Sequence, residues 1–236
     1  MASVKLGDPM SPGTSFSLQP GGGINIDGAS LKSLILYAYD LREFQLSGAM
    51  GWMNSERYTI RAKGVMSGPS NFSRMNDQQQ KAMFTLVRKR LQALLEERFQ
   101  LAAHRQAKEL PVYGLVLAKG GSKLEPNLSP DGSTRSMTTG RAMFKATRAS
   151  MDAITQALAG IVGRPVQDET GLTGYFDLKL EWTPDPAPGA GSERPAETVG
   201  PTLFTAIQEQ LGLRLVARKG NVDVLVIDRA ERPSEN

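Results

Sequence analysis

Apolar residues recur along the chain at two spacings, one near 3.6 and one of two, which mark out helices and strands. Leu31, Leu34, Ile35 and Ala38 share one helical face behind Ser30, whose hydroxyl can cap the first turn. Met83, Val87, Leu91, Leu94, Leu95 and Phe99 form a longer stripe behind Asp77. Met151, Ile154, Ala157, Leu158 and Ile161 follow Ser150, and Leu203, Phe204, Ile207 and Leu211 follow Thr202. Four helices are predicted, each followed by strand-like sequence.

Tyr58, Ile60 and Ala62 alternate with Thr59, Arg61 and Lys63, the pattern of a sheet with one wet face. PVYGLVLA at 111–118 and VDVLVI at 222–227 are near-continuous apolar runs, which predicts deeper burial. Three stretches read as loops: Gly64 to Gln80, Gly120 to Gly140, and Thr183 to Pro201. The last is rich in Pro and Gly and too poor in apolar residues to contribute core.

The pattern also repeats. MFTLVRKRL at 83–91 lies over LFTAIQEQL at 203–211, FQLAAHR at 99–105 over LRLVARK at 213–219, and ASLKSL at 29–34 over ASMDAI at 149–154. GINID and AMFKA precede the last pair, and YTIRAK takes the place of YFDLKL. A period of about 120 residues is that of a duplicated domain, since solenoid repeats run roughly 20 to 50 residues. The fold class predicted is α+β: two similar β-α-β-β-α-β-β units, 1–125 and 126–236, as two domains or one continuous globule, with helices on mainly antiparallel sheets and a Pro/Gly-rich loop at 183–201 in the second.

Composition narrows the chemistry. With 40% hydrophobic and 22% charged residues, the 236-residue chain is of ordinary globular type. It has no cysteine and one histidine, which removes disulfide frameworks, thiol nucleophiles, Cys-rich zinc sites and His-paired triads of the usual kind. A formal charge of +4 does not point to nucleic acid. No apolar run approaches the roughly 20 residues that cross a bilayer. PGGGIN at 20–25 and GGSK at 120–123 lack the spacing of phosphate loops, and no G-x-S-x-G elbow or Ser-x-x-Lys pair occurs. No metal site and no cofactor are expected.

The residues left as candidates for catalysis are His104, Asp168 and Glu169. His104 sits in LAAHR, where the second half carries Arg218, so the position calls for a polar group at a strand exit more than for an imidazole. Arg88, Lys89 and Arg90 are spread around a helix and read as a solvated face. In DETGLTGYFDLKLEW (168–182), period two places Phe176, Leu178, Leu180 and Trp182 on a core face and Tyr175, Asp177, Lys179 and Glu181 on a wet one. The preceding TGLTG supplies turn residues, and Asp168 can accept from backbone amides of that turn. The stretch reads as a hairpin entry to a core strand.

Taken together, ASVK at the start, SLKSLILYAYDL with QLSG and GW, LLEERFQLAAHR with ELPVYGLVLAKGG, GRPVQDETGLTGYFDLKLEW, and QEQLGLRL with VLVID and ERPSEN resemble an uncharacterised family of exported proteins expanded in soil Acidobacteria, a Solibacter-type paralogue family with a domain of unknown function. The resemblance implies an export signal ahead of ASVK, so that this chain is the mature, extracytoplasmic portion, periplasmic or secreted. Some related modules are joined to membrane metallopeptidase sensors of the β-lactam-receptor type, which implies signalling or protein contact. The family has no assigned catalytic residues to carry over. Each half is also weakly similar to the short N-terminal domain of secretins and TonB-dependent transducers, which binds proteins in the periplasm.

The function expected is a non-enzymatic protein-interaction or sensory module whose partner is another envelope protein, not nucleic acid. Two other classes stand beside it: a carboxylate-dependent hydrolase acting on glycan or peptide through Asp168 or Glu169, and a small-ligand-binding protein.

Overall fold

A computed structural model describes residues 2–7, 13–19, 23–63, 77–129, 135–184 and 200–233. The chain divides into two compact units: Met1–Lys108 with Asp223–Asn236, and Glu109–Val222.

In the first unit, β1 (Ala2–Leu6), β2 (Ser15–Gln19), β3 (Gly23–Ser30) and β5 (Arg57–Ala62) form an antiparallel sheet in the order β1-β5-β3-β2. The helix α1 (Leu31–Tyr39) follows β3 directly, and the Ser30 hydroxyl accepts the Ser33 amide at 3.1 Å, as its cap position predicts. Between α1 and β5 lie the two-residue strand β4 (Leu46–Ser47) and one helical turn, α2 (Trp52–Ser55). The long helix α3 (Asp77–Phe99) buries Val87, Leu91, Leu94, Leu95 and Phe99 against Ile26, Leu34, Ile35, Tyr58 and their neighbours. Arg88 leaves the basic run to pair with both carboxylate oxygens of Asp40, at 2.8 and 2.6 Å, and Asp40 itself ends α1 in the left-handed conformation.

In the second unit, β7 (Glu125–Pro126), β8 (Ser136–Thr139), β9 (Met143–Ser150) and β11 (Tyr175–Glu181) form an antiparallel sheet in the order β7-β11-β9-β8. The helix α4 (Met151–Val162) is capped by the Ser150 hydroxyl and α5 (Leu203–Leu211) by that of Thr202. Their apolar faces cover Phe144, Phe176, Leu178 and Leu180 in this unit's core.

Each sheet carries an irregularity at the same place. The register slips between Ile26 and Ala29, where Gly28 takes φ +64, and between Ala146 and Ala149, where Arg148 takes φ +54. These β-bulges turn the strand just before its capped helix.

Two strands belong to both units. In β6 (Ala102–Leu117), residues up to 108 lie with the first unit and the rest with the second. In β12 (Leu213–Arg229), residues to 222 lie with the second unit and the rest with the first. They are hydrogen-bonded neighbours in the order β10-β6-β12-β4, where β10 (Val166–Asp168) pairs parallel with β6 in the second unit and β4 parallel with β12 in the first.

The α+β class and its mainly antiparallel sheets are as predicted, and several details are corrected. The compact units do not fall at 1–125 and 126–236, because the chain's last strand returns to the first unit. Each half has three strands before its first long helix, and where two strands were expected at its end there is one long one. Gly220 lies in the middle of that single strand β12, where an added Cβ would stand 2.9 Å from Val112 Cγ2. The stretch Gly120 to Gly140 holds β7 and β8 rather than being loop throughout. Residues 168–182 are not a hairpin: β10 joins β6 while β11 joins β9 and β7, so the turn carries the chain from one sheet to another. Residues 64–76, 185–199 and most of the GGG at 21–23 lie outside those described.

Candidate functional site

The three sequence candidates fall in different surroundings. His104, in the first unit, is half exposed and sits across from Asp228 of β12, its Nδ1 at 2.9 Å from both carboxylate oxygens. Arg105, the next residue and so on the opposite face of the strand, pairs with Asp223, and the histidine makes one of several cross-strand polar contacts on an exposed ribbon.

Asp168 and Glu169 lie in the second unit. One Asp168 oxygen accepts both the Thr170 amide at 3.0 Å and the Thr170 hydroxyl at 2.7 Å, and that hydroxyl in turn accepts the Leu172 amide at 3.1 Å. Thr170 is buried, so Asp168 closes a compact turn by satisfying polar groups that water does not reach. Glu169 binds Arg218 at 2.6 Å, while its own amide donates to the Leu115 carbonyl. The Arg218 guanidinium lies over Gly114, where an added Cβ would collide with it. The correspondence of Arg218 with His104 thus marks two positions that each hold a carboxylate.

A different carboxylate organises the outer face of the second sheet. Asp177 accepts the Arg148 amide at 2.7 Å and the Asn127 side-chain amide at 2.8 and 3.0 Å, bracing the bulge. Arg148 is a buried cation with its guanidinium 4.7 Å from the Tyr175 ring centre, and Arg135 packs on the same ring at 4.8 Å while donating to the Tyr175 hydroxyl. Asp177, predicted as a solvated charge, is therefore a structural acceptor. Beside it lies an open groove of about 350 Å³ lined by Lys123, Lys145 and Lys179 together with Glu125, Asp177 and Gln210.

At the far side of the sheet, β8 is an edge: among the described residues no strand pairs with its outer side. Its backbone polarity follows from two hydrogen bonds. The Trp182 amide donates to Ala142, so even-numbered residues of β11 face β9; the Gly140 amide donates to Met143, so even-numbered residues of β8 also face β9. Strict alternation then turns the N–H and C=O groups of Met137 and Thr139 outward. All four residues of β8 are exposed, Met137 at 44%, and none is charged or proline, the usual devices that blunt an edge. Of the other edges of the two antiparallel sheets, β1 carries Lys5 and β7 carries Glu125 and Pro126, while β2 (SFSLQ) also lacks charge and proline; β8 differs from β2 in standing beside the exposed Lys145 of β9. This edge lay hidden in the predicted loop; the signal for it was the Thr-containing Ser136–Thr139 run ahead of a tight turn at Arg141 and Ala142.

Among the described residues no group of three or more His, Asp or Glu is placed to hold a metal ion, and no helix is long and apolar enough to cross a membrane.

The fold is that of a two-unit α+β protein in which, among the described residues, β8 is an exposed sheet edge. The chain belongs to a family described as a protein of unknown function (DUF3738), whose family model matches residues 32–230. No curated protein and no solved structure matches it.

Proposed function

We propose that this protein is a non-enzymatic interaction or sensory module that acts outside the cytoplasm and binds an envelope protein by accepting one of its extended segments at β8. The observation that carries this reading is the exposed, uncharged edge with the outward-facing backbone groups of Met137 and Thr139. Strand addition uses such groups for affinity and side-chain pockets for selectivity. Placement outside the cytoplasm rests on the likeness of the ASVK-to-ERPSEN motifs to exported proteins, and a sensory role on the joining of related modules to membrane sensors.

The engagement of Asp168 by Thr170 and of Glu169 by Arg218 favours binding over carboxylate chemistry. Capture from native envelope extract tests the reading: the intact protein retains a defined partner, and Met137→Pro, which removes an outward N–H without touching the ladder to β9, loses it. Turnover of a glycan or peptide by the pure protein, abolished by Asp168→Asn, would overturn it. The lysine-lined groove favours a second reading, a small acidic ligand, which a thermal-shift screen would register as stabilisation by mass action.

A further inference from the structure

We infer that the segment accepted at β8 is an extended strand in which acidic and apolar residues alternate. The inference rests on the reading of β8 as a docking edge and adds the chemistry of the occupant.

The two faces of the second sheet differ sharply beside β8. Met137 and Thr139 stand opposite Ala146 and Phe144, both buried, so their side chains lie on the core side, and the exposed Met137 leaves apolar surface at its margin. Ser136 and Thr138 stand opposite Thr147 and Lys145 on the outer face. An added strand would lie about 10 Å from β9, two inter-strand spacings, which a glutamate and Lys145 extended toward one another can span. Lys145 is exposed, and it stands directly opposite Lys179. Lys179 is already paired with Glu181 at 3.0 Å, which leaves Lys145 as the cation that an incoming carboxylate would meet. Arg141, exposed, lies in the turn after β8, whereas the Arg135 guanidinium before it is held on Tyr175 of β11, beyond β9 from the open edge, so the cationic end of the edge is the Arg141 end. An incoming strand therefore meets apolar surface beside Met137 on the core side and positive charge on the outer side, from Lys145 beside Thr138 and from Arg141 at the end of the edge.

The same charges disfavour a second copy of this chain as the occupant. The β8 of a second copy, Ser136–Thr139, brings no carboxylate to set against Lys145 or Arg141.

Three ten-residue peptides with blocked termini, alternating valine with glutamate, glutamine or lysine, test this on the intact protein. Affinity is measured by titration and the site by amide exchange at Met137 and Thr139. The glutamate peptide is expected to bind at least tenfold more tightly than the others and to slow both amides. Met137→Pro and Thr139→Pro, each checked for a native thermal midpoint, are expected to abolish that binding. The double variant Arg141→Glu, Lys145→Glu should move the preference toward the lysine peptide. If the glutamine or lysine peptide binds wild type as well as the glutamate peptide and protects the same amides, the charge inference is overturned while the edge reading stands. If no peptide slows these amides, or binding survives both proline variants, the edge is not a strand receptor and both readings fall.

Discussion

Asp168 shows how a residue that invites a catalytic reading can be absorbed by structure. Its carboxylate is the acceptor for the Thr170 amide and hydroxyl, and Thr170 is buried. Replacing it with alanine is expected to lower unfolding free energy by about 1 kcal/mol, the usual cost of such a loss, measured by urea denaturation. The exposed partner of a salt bridge matters less, so Glu169→Ala should cost below about 1 kcal/mol in the same assay. Glu56 makes a sharper case. It accepts the hydroxyl of buried Tyr58 at 2.8 Å and pairs with Arg232, whose guanidinium lies 5.0 Å from the Trp52 ring centre. The bond to Arg232 holds the Glu56 carboxyl below its ordinary value near 4.5, and the Tyr58 hydroxyl is pushed well above its own, by burial first and then by the bond to Glu56. A folded value below the unfolded one means that this stabilisation is complete above about pH 4.5 and is lost as pH falls through the folded value. Acid titration of stability should therefore be steeper in the wild type than in Glu56→Gln.

Among the elements, the helices were legible in advance because their signals are local: 3.6-residue stripes behind Ser30, Ser150 and Thr202, whose hydroxyls do cap the helices. What escaped was set by distant partners. Gly220 interrupts an apolar run as a turn would, yet it serves close packing against Val112 and Gln167. The parallel pairing of β10 with β6 has no local cue, so the turn at Asp168 was legible while its setting between two sheets was not. The candidate site divides the same way: the structural use of Asp168 could be read from its neighbours, whereas the open edge of β8 depends on which strands stop short of it. The two antiparallel sheets have corresponding strand orders, bulges at Gly28 and Arg148, and left-handed residues Asp40 and Gly163 after α1 and α4. Two glycines separate conformational from packing needs. Gly163, at φ +66 with open space around it, should lose about 1 to 2 kcal/mol on change to alanine. Gly212, at φ +65, has no such space, since a Cβ there would run into the Gly121 carbonyl; its alanine variant should be clearly less stable than the Gly163 variant in parallel thermal melts.

At the scale of the whole molecule, the shared strands β6 and β12 explain why the compact units are not the two halves of the chain: each half ends in a strand long enough to serve both units. A partner bound at a cationic, solvent-facing edge should respond to screening, so its affinity is expected to fall as ionic strength rises from about 0.05 to 0.5 M. The claim on which the account turns is that β8 receives a strand from another protein. Residue-resolved amide exchange tests it most directly, comparing the intact protein alone with the protein bound to the partner it captures. The Met137 and Thr139 amides are expected to exchange markedly more slowly in the complex. Unchanged exchange at both amides, with protection appearing on another surface, would contradict it.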